Sequence, residues 1–147
     1  MNKLILLFLL LSACLFAQDN TIKNRDYFDA LTKKEREIIV DRGTERAFSG
    51  NYVDLFEAGL YACKACNNPL FESDSKFKSN CGWPSFDDEI KNSLIRIQDN
   101  SYGMQRVEIC CANCKGHLGH VFEGERLTEK NLRHCVNSIS IKFISKK

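Results

Sequence analysis

Leu94-Ile95-Arg96-Ile97-Gln98-Asp99-Asn100-Ser101-Tyr102-Gly103-Met104-Gln105-Arg106-Val107-Glu108-Ile109 is the stretch that decides the fold class. Over Leu94–Ile97, and again over Met104–Ile109, apolar and polar side chains alternate with the two-residue period of a strand that buries one face. Between them, Asp99, Asn100 and Ser101 supply turn-forming side chains. The stretch therefore predicts a β-hairpin. The same alternation runs through Cys135-Val136-Asn137-Ser138-Ile139-Ser140-Ile141-Lys142-Phe143. As one continuous strand, it puts Cys135, Asn137, Ile139, Ile141 and Phe143 on a single face.

Upstream the pattern is helical. Thr32, followed three residues later by Glu35, is a capping box, and it predicts a short helix to about Arg42. Gly43 is the expected stop, because glycine can take the left-handed conformation that ends helices. From Leu60 onward the spacing is that of strands. The expected architecture is mainly β: antiparallel sheets forming one barrel-like domain over residues 26–147, with short helices at its amino end.

Composition narrows the function. Of 147 residues, 44% are hydrophobic and 27% charged, as in a soluble globular domain. A net charge of +2 without a basic tract gives no reason to expect nucleic acid as a partner. The chain opens with one lysine and an unbroken apolar run from Leu4 to Leu11, the form of an export leader. That run is too short for a spanning helix, which takes about 20 residues. Leu11-Ser12-Ala13-Cys14 reads as a lipoprotein processing site, which makes 1–13 the signal peptide and Cys14 the lipidated new terminus. Cleavage after Ala17 is the rival. Residues 14–25 then form a tether, and the protein is expected outside the cytoplasm, periplasmic or held on a membrane as a lipoprotein.

Eight cysteines are the outlier in this composition. Cys63-Lys64-Ala65-Cys66 and Cys111-Ala112-Asn113-Cys114 are both C-x-x-C, and each follows a strand-like stretch. Zinc takes four thiolates at about 2.3 Å, and such a turn offers two sulfurs to one ion with little strain. The two pairs are thus read as a four-cysteine zinc clamp joining distant parts of the domain. The competing readings are structural disulfides, the common use of cysteine in an exported chain, or a redox motif at a single pair. Cys110 and His117 are alternative ligands, although the regular spacing selects Cys111 and leaves Cys110 a bystander.

Cys81 and Cys135 remain as candidate redox thiols. Cys81 lies in Ser79-Asn80-Cys81-Gly82-Trp83-Pro84-Ser85-Phe86, a loop that carries the only tryptophan. Cys135 follows Arg133 and His134, basic neighbours that favour a thiolate; the blander reading is a core residue in a strand. Gly116-His117-Leu118-Gly119-His120-Val121-Phe122 sets two histidines three apart, able to pass protons near neutrality. Structural histidines, or ligands of a second metal, are the alternatives there.

In this order, the segments resemble the methionine sulfoxide reductase B family, whose hallmarks are a C-x-x-C, a GCGWPSF loop, a second C-x-x-C with HLGHVF close behind, and a terminal RYCINS-like strand. The likeness extends over nearly the whole chain after the leader, including Gly43-Thr44-Glu45-Arg46-Ala47-Phe48-Ser49-Gly50. It implies a mainly antiparallel fold with structural zinc on Cys63, Cys66, Cys111 and Cys114, and reduction of the R epimer of methionine sulfoxide in proteins; with the export leader, the expected clients are exported proteins, and the chain is expected to be a monomer. By the same resemblance, Cys135 is the nucleophile and becomes a sulfenic acid, and His120 protonates the leaving oxygen. His117, Arg133 and Asn137 orient that oxygen, and Trp83 walls the substrate methyl group. Cys81 then forms a disulfide with Cys135, recycled by a thioredoxin-like reductant.

Three positions depart from the family pattern. His134 replaces a common aromatic, Glu123-Gly124-Glu125 stands where many members carry Asp-Gly, and Asn80 replaces a glycine before Cys81. Two other functions compete with the reductase: a non-catalytic zinc-stabilised binding module, and a metal-free secreted protein braced by disulfides.

Overall fold

The computed structural model describes residues 26–146, so the expected leader, Cys14 and the whole tether lie outside the described residues. Helical backbone at 26–29 precedes α1 (Lys33–Ile39), and the capping box forms at its start. The Thr32 hydroxyl accepts the Glu35 N–H at 3.3 Å, and the Glu35 carboxylate accepts the Thr32 N–H at 2.8 Å. The helix stops earlier than the sequence predicts, at the Val40 cap. Arg42, with φ 59°, takes the left-handed conformation expected of Gly43. Gly43 is needed for space instead, since a Cβ there would sit 2.6 Å from the Glu37 carbonyl oxygen.

Among the described residues nine strands follow: β1 (Gly59–Cys63), β2 (Pro69–Glu72), β3 (Lys76–Phe77), β4 (Ser85–Phe86), β5 (Leu94–Asp99), β6 (Arg106–Cys111), β7 (His117–Glu123), β8 (Leu132–Val136) and β9 (Ile141–Ser145). The hairpin read from the sequence is β5–β6, paired from Leu94↔Cys111 to Asp99↔Arg106. All pairs are antiparallel. They build a three-stranded sheet, β2-β1-β9, and a six-stranded sheet, β3-β4-β8-β7-β6-β5.

The barrel-like expectation needs correction. Closure would require the sheet edges to pair with one another, but β3 and β5 end the larger sheet and the smaller sheet stands separate. The carboxyl-terminal stretch, expected as one strand, also divides between the two sheets. Ser138–Ser140 forms a 3-10 turn, closed by the Ser140 N–H on the Asn137 carbonyl at 3.0 Å. The Ser138 N–H is held by the Glu45 carboxylate at 2.8 Å, which withdraws it from any ladder. The chain therefore leaves the large sheet as β8 and joins the small one as β9, so Cys135 and Ile141 do not share one strand face.

The core is aromatic where the sheets meet. Phe71 stacks on Phe86 with centroids 4.3 Å apart, and Tyr61 meets Phe86 edge-on at 5.0 Å. Tyr61 is fully buried, and its hydroxyl donates to the Leu55 carbonyl at 3.0 Å, so its polar tip carries no unpaired cost. Among the described residues, no helix is long and apolar enough to cross a membrane.

Candidate active site

Cross-strand register brings the reactive groups together. On β8, Cys135 pairs with Ser85 of β4 on one side and His120 of β7 on the other. His120 in turn pairs with Glu108 of β6. Directly opposed residues project from the same face of a sheet, so these four form one polar row. The other face carries His134 and Val136, both fully buried, and it faces the core. Gly119 makes the β7–β8 contact possible, because a Cβ there would lie 1.9 Å from the Cys135 carbonyl oxygen.

Cys81 reaches the row from its loop, with Sγ 3.9 Å from Cys135 Sγ. Asn80, with φ 60°, takes the left-handed turn that a glycine would take there, and asparagine tolerates it. Ser79 Oγ donates to Cys81 Sγ at 3.0 Å, and Ser85 Oγ lies 3.5 Å from it. Within the pair, the Cys135 contact pulls Cys81 down to about 4 against burial, aided by the serine hydroxyls. The same contact and burial push Cys135 up, while the Arg133 guanidinium acts in the opposite direction. One proton is thus shared between two sulfurs, and Cys81 is the stronger acid.

A pocket of about 130 Å³ opens beside Cys135, lined also by Trp83, Phe122, His117, His120 and Asn137. His120 Nε2 lies 2.8 Å from Asp99 Oδ2, which also accepts from Arg106 at 2.7 Å. His117 is buried, with Nδ1 2.7 Å from Glu108 Oε1; burial pushes its pKa below the usual histidine value, and Glu108 opposes that shift. Arg133 makes a bidentate pair with Glu125 at 2.7 and 2.9 Å and lies over the Phe122 ring at 4.5 Å. Of the two acidic residues in the departing segment, Glu125 is therefore the one that holds this arginine.

Asn137 lines the pocket, but both ends of its amide are engaged. Its Oδ1 accepts the Glu45 N–H at 2.8 Å, and its Nδ2 donates to the Leu118 carbonyl at 3.1 Å. Only one amide hydrogen is left for a ligand. Trp83 is pinned through Nε1 to the Glu45 carbonyl at 2.9 Å. Glu45 thus clasps Trp83, Asn137 and Ser138 at once. No sequence pattern pairs it with them, and none marks Arg106 or Glu108 as site residues. Asp99 was legible only as a turn residue.

The four cysteines Cys63, Cys66, Cys111 and Cys114 converge, with all ligand atoms within 4.8 Å of one another. Cys63 and Cys114 sulfurs are 3.6 Å apart, and those of Cys66 and Cys111 3.5 Å. Those spacings exceed a disulfide bond of about 2.05 Å. They approach the edge of roughly 3.8 Å that a zinc–thiolate tetrahedron with 2.3 Å bonds requires. The donor set fits a metal ion joining the β1–β2 turn to the β6–β7 turn, and so one sheet to the other.

Residues 31–145 match the SelR domain, most of the chain. The chain belongs to the methionine sulfoxide reductase B family. Members at comparable similarity span distant organisms. "Peptide methionine sulfoxide reductase MsrB" of Teredinibacter turnerae is 48% identical over 132 residues, covering 88% of this chain and 96% of its own. That of Methanosarcina mazei is 47% identical, over 80% of this chain and 84% of its own. "Peptide methionine sulfoxide reductase 2" of Saccharomyces cerevisiae is 47% identical, over 77% and 71%. The buried His134 of this chain donates from Nδ1 to the Phe86 carbonyl at 3.0 Å, and its Nε2 meets the Glu89 carboxylate at 2.5 Å.

Proposed function

We propose that the protein reduces the R epimer of methionine sulfoxide in exported proteins. The observation that carries this reading is the 3.9 Å approach of Cys81 to Cys135 beside the histidine-lined pocket. The names of the relatives point to the same substrate class.

Trp83 and Phe122 receive the methyl group, and the sulfoxide oxygen faces His120. Attack on the substrate sulfur comes from the minor tautomer of the pair, with Cys135 as thiolate and Cys81 as thiol, which the Arg133 guanidinium favours, and His120 protonates the departing oxygen. Methionine leaves and Cys135 carries the oxygen as a sulfenic acid. The Cys81 thiol condenses with it, releasing water and forming one disulfide. A thioredoxin-like dithiol reduces that bond by exchange. Arg133, fixed by Glu125, stabilises negative charge at Cys135, and Asp99 sets the His120 ring.

The four clustered cysteines hold zinc, which supplies a structural clamp and takes no part in oxygen transfer. The leader exports the chain, and a lipid on Cys14 tethers a monomer to the membrane surface. Incubation of wild type and Cys135→Ser with a sulfoxide-containing peptide and a dithiol tests the reading. Product lighter by one oxygen should appear with wild type alone, and equal conversion by the variant would end it.

A further inference from the structure

The structure assigns a second metal site to Glu108, Cys110 and His117, suited to a divalent transition ion such as zinc or cobalt. Glu108 and Cys110 stand two apart on β6 and project to the same side. His117 on β7 is the register partner of Cys110, because the register shift between Ile109 and Cys110 skips Leu118. The ligand atoms lie within 4.8 Å of one another, with Glu108 Oε1 2.7 Å from His117 Nδ1 and 3.2 Å from Cys110 Sγ. Bonds of about 2.0–2.3 Å separate neighbouring ligands by roughly 3.5 Å, so small side-chain movements open the cluster to an ion.

The donor chemistry is selective. One sulfur, one imidazole nitrogen and one carboxylate oxygen suit zinc-class ions, whereas magnesium and calcium prefer oxygen throughout. All three residues are buried, yet Glu108 and His117 border the groove that also holds Arg42. The Arg42 guanidinium already places a cation 3.4 Å from Glu108 Oε1. Its side chain is 61% exposed and can swing into solvent when an ion replaces it. Three protein ligands leave a fourth position for water, the pattern of an exchangeable rather than a closed site. Cys110 is distinct from the clamp, since its neighbour Cys111 joins the four-cysteine set. Binding releases the Cys110 thiol proton and holds His117 on the ion. The binding does not depend on the proposed reductase reading.

The test is a Co²⁺ titration of full-length protein brought to one zinc per chain in a Cys135→Ser background, so that the four-cysteine cluster is filled and the redox pair is removed as a competing site. We expect one equivalent of Co²⁺ beyond the retained zinc, with sulfur-to-cobalt charge-transfer absorption. Cys110→Val and Cys110→Ser should abolish that absorption, and Glu108→Gln should weaken binding at least tenfold. Zinc content stays at one per chain throughout. Failure of the parent protein to take up Co²⁺ overturns the proposal without any further variant, as does undiminished charge-transfer absorption in a folded Cys110 variant.

Discussion

His120 Nε2 and Asp99 Oδ2 stand 2.8 Å apart, joining the middle of β7 to the end of β5 at the edge of the pocket beside Cys135. Through Arg106, the same carboxylate is itself held in place. A proton donor whose ring is oriented by a fixed acid is the arrangement that oxygen protonation requires.

His120→Ala should therefore lower kcat for sulfoxide reduction by about 10²–10⁴-fold. Asp99→Asn keeps the size of the side chain but alters the ring's partner, and should cost about tenfold in kcat with little change in KM. Steady-state kinetics on a sulfoxide peptide checks both. An Asp99→Asn enzyme with unchanged kcat would remove Asp99 from the site.

The shared proton of the thiol pair is also measurable. Cys81, lowered to about 4 chiefly by the Cys135 contact, is a thiolate at neutral pH and is protonated only as pH falls below about 4. Alkylation of Cys81 by iodoacetamide should thus be half-maximal near pH 4 in wild type. In Cys135→Ser, the principal cause is gone, and the midpoint should rise by more than one pH unit. Equal midpoints would show that the pair does not share its proton.

Glu89 gives a stability test at acid pH. Its contacts with His134 and then Arg96 lower its pKa from the ordinary 4.5 to about 2, against the cost of burial. A depressed carboxyl stabilises the fold above its unfolded pKa and loses that contribution as pH falls from about 4.5 to about 2. The contribution is about 3 kcal/mol. Thermal unfolding of wild type should weaken across this window, and that of Glu89→Gln should show less slope. Parallel curves would contradict the assignment.

Removing the structural ion should loosen the join between the sheets. Chelation, or Cys63→Ser, is expected to release about one zinc per chain and to cost several kcal/mol of stability. The melting temperature should fall by more than about 10 °C. Calorimetry alongside metal analysis decides it, and an unchanged transition in metal-free protein would make the cluster incidental.

The period-2 pattern made the β5–β6 hairpin legible, and Thr32 with Glu35 announced α1, because both signals are local. The C-x-x-C spacing likewise foretold which four sulfurs meet. What escaped was set by distant partners. The strand expected through Phe143 breaks at Ser138 because Glu45, 93 positions away, takes its N–H. Nothing near Ser138 signals that competitor. The same holds for Trp83 and Asn137, whose types were readable but whose shared tie to Glu45 was not. Open sheet edges also escaped, since alternation fixes which face is buried and leaves closure undetermined.

The claim on which the account stands is that Cys135 removes the sulfoxide oxygen and Cys81 resolves it. A single turnover without reductant measures this directly: reduced protein is mixed with excess racemic peptide sulfoxide, then quenched for chiral product analysis and disulfide mapping. We predict consumption of one equivalent of the R epimer, none of S, and one new bond between Cys81 and Cys135. Consumption of S, or turnover that leaves both sulfurs as free thiols, would contradict it.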